Sequence, residues 1–418
     1  MKIIVAHSYA PWPITKGTDR LIMNLLGGLA VNHEVTLVTM ALSADGLERL
    51  REIETNRLGV RAILAPNKRS PFHRLFYKNM NYAKAVLAGV PPEVSYAAPE
   101  ELMRLAANTA KERTADMVLA SYWRLYRLGE YVDASKLVLI THDLDFIVNR
   151  GRLRSLSGIA RIIAANRLGA LERIERKAYE RYETILTVTP SDAETLARYS
   201  VAAGKAVYAL PLALDLSVFD HRAFEREKRT ILLMGTFHSD FNRDALSCFA
   251  GEVLPRVLEK NGGVRFVVVG HGVDGRMRAA AGPNVSFAGG VDDVRPYLGR
   301  CSVMVLPLRF GGGVRIRMME AAAMGTPVVS TPVGVAGMGL VAGRDYLEAS
   351  SSAEMASAIL RVLEDGDFAR RIGANARRWA EDNISMEGYP GRLDELFEKI
   401  ARSRAERRRM ESNQRGKS

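Results

Sequence analysis

Cysteine is almost absent. Cys248 and Cys301 are the only two in 418 residues, which excludes a disulfide framework and points to a reduced, cytoplasmic compartment. No run of roughly eighteen apolar residues occurs, so no membrane-spanning helix is expected. The opening MKIIVAHSYAP has neither a basic leader nor a small-residue cleavage site, so no secretory signal is expected either. No His/Cys cluster has zinc spacing, and no nucleic-acid-binding module is recognisable. Acidic residues are in deficit, 47 against 59 Lys and Arg, leaving a net charge of +12. Such an excess suits anionic partners such as phosphates or acidic lipid head groups. What remains is ordinary globular composition, 47% hydrophobic and 25% charged, in a chain long enough for two α/β domains.

Apolar β-rich runs alternate with helical periodicity from the start. Strands are expected at 2–6, 34–40, 117–120, 137–141 and 184–189, with helices between them at about 18–31 and 157–182. The pattern restarts after the polar stretch 215–229. Strands then fall at 230–235, 264–269, 284–288, 302–307 and 327–331. Helices are expected at about 242–260, 291–299, 314–324, 352–364, 367–382 and 389–404. Strand–helix alternation of this kind gives parallel sheets covered on both faces. The restart divides the chain into an N-terminal Rossmann-like domain, 1–212, and a C-terminal one, 213–388. A last helix at 389–404 and a frayed basic tail at 405–418 complete it, since 402–418 lacks apolar anchors.

The richest stretch is PLRFGGGVRIRMMEAAAMGTPVVSTPVG, residues 307–334. A strand ends at Pro307, and Gly311, Gly312 and Gly313 lead into a helix. Glycine allows close backbone approach to a ligand and tolerates positive φ. A helix N-terminus at the carboxyl end of a parallel strand presents unpaired N–H groups and the positive end of a dipole, a place for an anion. Arg315 and Arg317 stand in the first turn, where cations oppose that dipole. A phosphate would outweigh the repulsion through charge-assisted hydrogen bonds. Glu320, about one and a half turns beyond Arg315, is placed to accept ribose hydroxyls. The alternative is a glycine-rich loop without a ligand.

With these residues in view, the chain resembles the retaining GT-B glycosyltransferases of the large bacterial family 4 type, the group 1 glycosyl transferases. The resemblance covers nearly the whole chain. It rests on KIIVAHSYAPWPITKGTDRLIMNLLGGLA, HEVTLVTM and THDLDF in the first half, and on LLMGTFHSDFNRDAL, VRFVVVGHG, NVSFAGGVDDVRPYL and EAAAMGTPVV in the second. It implies two doubly wound Rossmann-like domains facing a cleft, with the final helix crossing back to the N-domain. It implies an acceptor on the first domain and a nucleotide-diphospho-sugar, UDP- or GDP-linked, on the second, with no cofactor. The family commonly carries two glutamates separated by seven residues. Here the second is Glu320 and the first position is Gly312, so Arg309 to Gly313 to Arg317 (Arg-x-Gly-Gly-Gly-x-Arg-x-Arg) resembles a branch lacking that first Glu. The missing Glu contacts donor-sugar hydroxyls in other members. The family's Arg and Lys after the first strand of the second domain are not both evident, Arg243 alone lying nearby.

Other expectations are thinner. Gly17 closes the loop after the first strand and could meet the donor phosphate or serve as a turn glycine. His142 follows a strand at a sheet's carboxyl edge, and the resemblance implies a catalytic position near the reacting sugar; a generic strand-end histidine is the alternative. His7 has a similar location. Gly235, Asn242, Gly270 and His271 are expected around the second domain's ligand, with 288–293 passing the nucleobase. Asp143-Leu144-Asp145 imitates a metal motif but reads as loop and helix-capping chemistry. Basic residues stand beside aromatic ones at 68–78 (Lys68, Arg69, Phe72, Arg74, Leu75, Phe76, Tyr77, Lys78), and Arg152, Arg154, Arg161 and Arg167 surround the start of the long helix. These suit peripheral contact with anionic lipid on the inner face of a membrane, or simply a solvated face. The expected reaction is transfer to an acceptor hydroxyl with retention, in polysaccharide or glycolipid synthesis, without nucleic acid. A nucleotide-sugar epimerase and a non-catalytic binding subunit remain the rivals, since fold alone never fixes a reaction.

Overall fold

The computed structural model describes residues 1–12, 14, 17–65, 91, 94, 97–154, 157–199, 202 and 204–415. The chain forms two compact units. Met1–Pro211 and Gly388–Ser418 make the first, and Leu212–Glu387 the second.

The first unit is built on a seven-stranded parallel sheet. Its strands are β1 (Lys2–His7), β2 (Glu34–Ala41), β3 (Leu58–Leu64), β4 (Met117–Ser121), β5 (Leu137–Thr141), β6 (Thr184–Thr187) and β7 (Ala206–Ala209). They lie in the order β3-β2-β1-β4-β5-β6-β7. Every residue of β4, β5 and β6 is buried, as continuous apolar strands in a sheet covered on both faces must be. Neither edge strand was among those expected from sequence. In β3 only Leu58 is fully buried, and in β7 no residue is, so the apolar run that marks a central strand is missing.

The final helix, Tyr389–Arg415, packs within this unit against the helix Gly17–Ala30. Gly28 makes that approach possible: a Cβ there would lie 2.7 Å from Leu393 Cδ1 and 2.8 Å from Tyr389 Cδ1. His33 Nε2 then meets Asp394 at 2.9 Å. The expected frayed tail is instead helical as far as Arg415. Arginine stems replace the apolar anchors the sequence lacks. Arg404 donates to the Leu137 carbonyl at 2.5 Å and to Thr184 Oγ1 at 3.3 Å, and Arg408 donates to Ser135 Oγ at 2.6 Å.

The second unit holds a six-stranded parallel sheet of order β10-β9-β8-β11-β12-β13. The strands are β8 (Thr230–Met234), β9 (Arg265–Val269), β10 (Val285–Gly289), β11 (Val303–Leu306), β12 (Val328–Ser330) and β13 (Leu347–Glu348). Strand order reverses between β8 and β11, which makes their carboxyl ends a topological switch point, where such sheets bind ligands. Behind that edge runs the helix Ile316–Ala323. Its Ala321, Ala322 and Ala323 are wholly buried, small enough to pack closely and strong helix formers besides. The neighbouring helix Gly366–Ile384 comes so close that a Cβ on Gly373 would stand 2.1 Å from the Gly325 carbonyl oxygen.

Candidate functional site

The glycine-rich loop leaves β11 and reaches the helix start across the switch point. Gly311 and Gly313 have φ of 131° and 70°, values that a side chain resists, so the glycines lie in the loop and not in the helix. The helix begins at Ile316, with Arg315 as its N-cap residue and no side-chain cap. Arg315 is buried, donates to the Gly312 carbonyl and lies 5.2 Å from the centre of the Phe241 ring. A Cβ on Gly311 would be 2.4 Å from its guanidinium. The loop is therefore wrapped around Arg315.

Arg317 points back to β8. It donates to the Met234 carbonyl and to Asn242 Oδ1, at 2.9 Å to the latter. Its Nε is buried without a hydrogen-bond partner. Desolvation, and then the charge of Arg315, push its pKa down to about 9, while Glu320 pulls the other way. Two cations thus crowd the positive end of a helix, an arrangement that an anion would relieve. Glu320 is also buried, on the next turn. Arg309 is exposed and forms a two-point ion pair with Asp244, which holds its pKa up.

The loop after β8 completes this edge. Asn242 is buried and donates to the Thr236 carbonyl at 2.9 Å. Gly235 leaves room for it: a Cβ would be 2.5 Å from Arg317 Nη1 and 2.9 Å from Asn242 Cγ. Gly270 is a steric requirement, since a Cβ there would fall 1.7 Å from the Gly235 carbonyl oxygen, at a φ of 139°. The His271 ring covers Gly290, where a Cβ would stand 1.8 Å from Cε1. Arg243 donates to the Phe237 carbonyl at 2.6 Å, so it braces the loop from within. Sequence reasoning missed Phe241 and Asp244, although both stand in the segment HSDFNRDAL that carried the resemblance.

The carboxyl edge of the first unit holds a separate cluster. His7, Ser121 and His142 follow one another across β1, β4 and β5, all buried. Ser121 Oγ lies 2.8 Å from His7 Nδ1 and 3.0 Å from His142 Nε2. Burial pushes the pKa of His142 down to about 4 and that of His7 to about 3, His142 adding to the latter. Asp145 opens the next helix and accepts from Tyr122 Oη and from Trp123 Nε1, at 2.9 Å to the indole. Below it, Glu175 is fully buried and accepts from Tyr179 Oη at 2.7 Å; desolvation, then the nearby Asp145 charge, raise its pKa to about 9. Ser121 and Glu175 carry no motif, and only their burial in the fold reveals them.

Gly17 is exposed as the first residue of its helix. The basic and aromatic residues at 68–78 lie outside the described residues, as do the side chains of Arg152 and Arg154. Arg161 and Arg167 are exposed on the helix Gly158–Arg181, together with Ile159 and Ile162. Among the described residues no helix is long and apolar enough to cross a membrane.

Residues 228–365 match the model of the family "Glycosyl transferases group 1", which spans the strands and loops of the second unit's site. The chain is similar to the phosphatidyl-myo-inositol mannosyltransferase of Mycobacterium tuberculosis, 29% identical over 139 residues. That match takes in 31% of this chain and 36% of the relative. The Mycobacterium leprae protein of the same name is 29% identical over 165 residues, 37% of this chain and 43% of that one. The chain thus aligns with less than half the length of these relatives. Among solved structures, sucrose-phosphate synthase from Thermosynechococcus elongatus superposes with a TM-score of 0.68, covering 96% of this chain and 99% of that one at 16% identity. The Anabaena protein HepE, in complex with UDP and glucose, gives 0.63 over 95% and 99% at 13% identity. Residues 228–365 are thus similar to the group 1 glycosyl transferases, and the chain's two Rossmann-like units have the GT-B fold.

Proposed function

We propose that this chain transfers a sugar from a UDP- or GDP-linked donor to an acceptor hydroxyl, with retention of configuration, in bacterial polysaccharide or glycolipid synthesis. The observation that carries the reading is the pairing of Arg315 and Arg317 at the start of the helix Ile316–Ala323, beside Gly311, Gly312 and Gly313. Transfer needs a leaving diphosphate to be stabilised, and preorganised cations with backbone N–H groups supply that. Glu320 accepts the ribose hydroxyls in this reading, and Arg309, Gly235, Asn242, Gly270 and His271 shape the surroundings. His142 stands near the reacting sugar, and Gly17 meets the donor phosphate or the acceptor. The charge of the diphosphate is met by protein cations, so the reading invokes no metal and no cofactor.

The first unit takes the acceptor. A lipid-linked acceptor fits a peripheral position on the anionic inner face of a membrane. Residues 146–171 contain five arginines and no Asp or Glu, and Ile159 and Ile162 are 76% and 65% exposed among them. With Arg161 and Arg167 exposed on the same helix as these isoleucines, the described part of this segment is a basic, partly apolar surface that suits an acidic bilayer. The mycobacterial relatives are named as mannosyltransferases of phosphatidyl-myo-inositol, a lipid acceptor.

A panel of UDP- and GDP-sugars tests the reading, scored by thermal shift and by slow release of nucleoside diphosphate without acceptor. At least one donor should raise the melting temperature and be hydrolysed. A shift without release would favour a binding subunit, and no shift with any donor would remove the nucleotide-sugar assignment.

A further inference from the structure

At the carboxyl edge of the first sheet three adjacent strands bring polar side chains into contact. His7 ends β1, Ser121 ends β4, and His142 directly follows β5. Register sets His7 opposite Ser121. Strand order reverses between β1 and β4, so this is the first unit's own switch point.

The serine hydroxyl carries one proton. It can donate to one imidazole and must accept from the other, so the two rings' tautomers are coupled. His7 Nε2 decides between the two arrangements, because it is buried with no hydrogen-bond partner. A proton on that atom would leave a buried N–H without an acceptor. Folded proteins avoid this more strictly than an idle lone pair. The His7 proton therefore belongs on Nδ1, donating to Ser121 Oγ. The Ser121 hydroxyl then donates to His142 Nε2, and His142 must carry its own proton on Nδ1. That nitrogen has no hydrogen-bond partner within the chain among the described residues, and unlike His7 Nε2 it is not sealed from the surface.

We infer that His7 and Ser121 are positioning residues that fix His142 as a neutral hydrogen-bond donor, its Nδ1–H offered to an oxygen atom of a bound sugar ligand. The ligand class rests on the proposed function; the tautomer rests on geometry alone. Burial keeps both rings neutral, as their lowered pKa values show. A residue placed to remove a proton would turn a bare nitrogen to its ligand, and His142 turns an N–H. Aromatic neighbours hold the rings in place. Tyr9 lies 4.6 Å from the His7 ring centre and Tyr122 lies 5.7 Å from that of His142. Tyr122 does so at a φ of 94°, a conformation uncommon for a bulky residue and found where a site over-determines the backbone.

The test is long-range proton–nitrogen correlation spectroscopy on protein labelled with 15N-histidine. The His142 signals are assigned by their loss in His142→Gln, one of only seven histidines. Wild type should show His142 protonated on Nδ1 and bare on Nε2. Ser121→Ala, which removes the donor to Nε2, should shift it to the Nε2–H form or to a mixture. Wild type found as Nε2–H overturns the inference without any variant, and so does a His142 pattern unchanged in Ser121→Ala. No activity enters the measurement, so its failure is distinct from failure of the transferase reading.

Discussion

Arg317 donates to Asn242 Oδ1 at 2.9 Å, tying the loop that follows β8 to the helix that follows β11. The same nitrogen, Nη1, also meets the Met234 carbonyl, so this arm of the guanidinium serves the scaffold. Arg315 is the other cation, lying over Phe241 inside the glycine loop. The two arginines looked equivalent in sequence, but the fold gives them different work. Arg317 ties the two sides of the switch point together, and in the proposed reading Arg315 supplies the charge that meets the diphosphate.

Glu320→Gln should weaken donor binding with little change in the melting temperature. Glu320 is buried one turn into the helix, and in the proposed reading its carboxylate accepts the ribose hydroxyls. A charged hydrogen bond of this kind contributes about 1.5–3 kcal/mol. A 2′,3′-dideoxy nucleotide should bind wild type and variant with similar, weak affinity. If the variant loses as much affinity for the dideoxy ligand as for the normal one, the ribose role is wrong.

Glu175 gives a pH-dependent prediction. Its folded pKa is raised from 4.5 to about 9 by burial and by the Asp145 charge. Between those values the folded chain keeps a proton that the unfolded chain releases, so its contribution favours folding least at high pH. Stability should fall with rising pH by about 1.4 kcal/mol per unit relative to a neutral isostere. Glu175→Gln should match wild type near pH 4 and exceed it by a growing margin toward pH 8. Denaturant melts at several pH values check this, and parallel curves would show that Glu175 is ionised in the fold.

Much of this was legible in the sequence. Central strands such as β4 and β8 are unbroken apolar runs, and the glycines and arginines of 309–317 stand together in the chain. The edge strands β3 and β7 were not legible, because half-exposed strands lack that signature. The His7–Ser121–His142 chain was invisible for another reason. Its members lie 114 and 21 residues apart, and only the parallel register brings them together. The helical tail to Arg415 was misread because its anchors are arginines reaching backbone oxygen and hydroxyl groups instead of apolar residues.

Membrane contact should be reversible and electrostatic. Vesicles containing anionic lipid should float with the protein at low salt, and neutral vesicles should not. Each arginine near the surface contributes about 1 kcal/mol, and screening to about 3 Å at molar ionic strength should release the protein. Replacing Ile159 and Ile162 with serine should weaken binding further, since both are exposed beside Arg161. No flotation with anionic vesicles at low salt would leave the charge as a solubility feature and favour a soluble acceptor.

Titration calorimetry of UDP and GDP, each against its free nucleoside, tests the central claim most directly. The claim is that the glycine loop and Arg315 form a diphosphate site at the second unit's switch point. Wild type should bind one diphosphate far more tightly than the matching nucleoside. Arg315→Ala should cost that diphosphate about 1.5–3 kcal/mol and leave nucleoside binding nearly unchanged. Equal diphosphate affinity in wild type and variant would contradict the account.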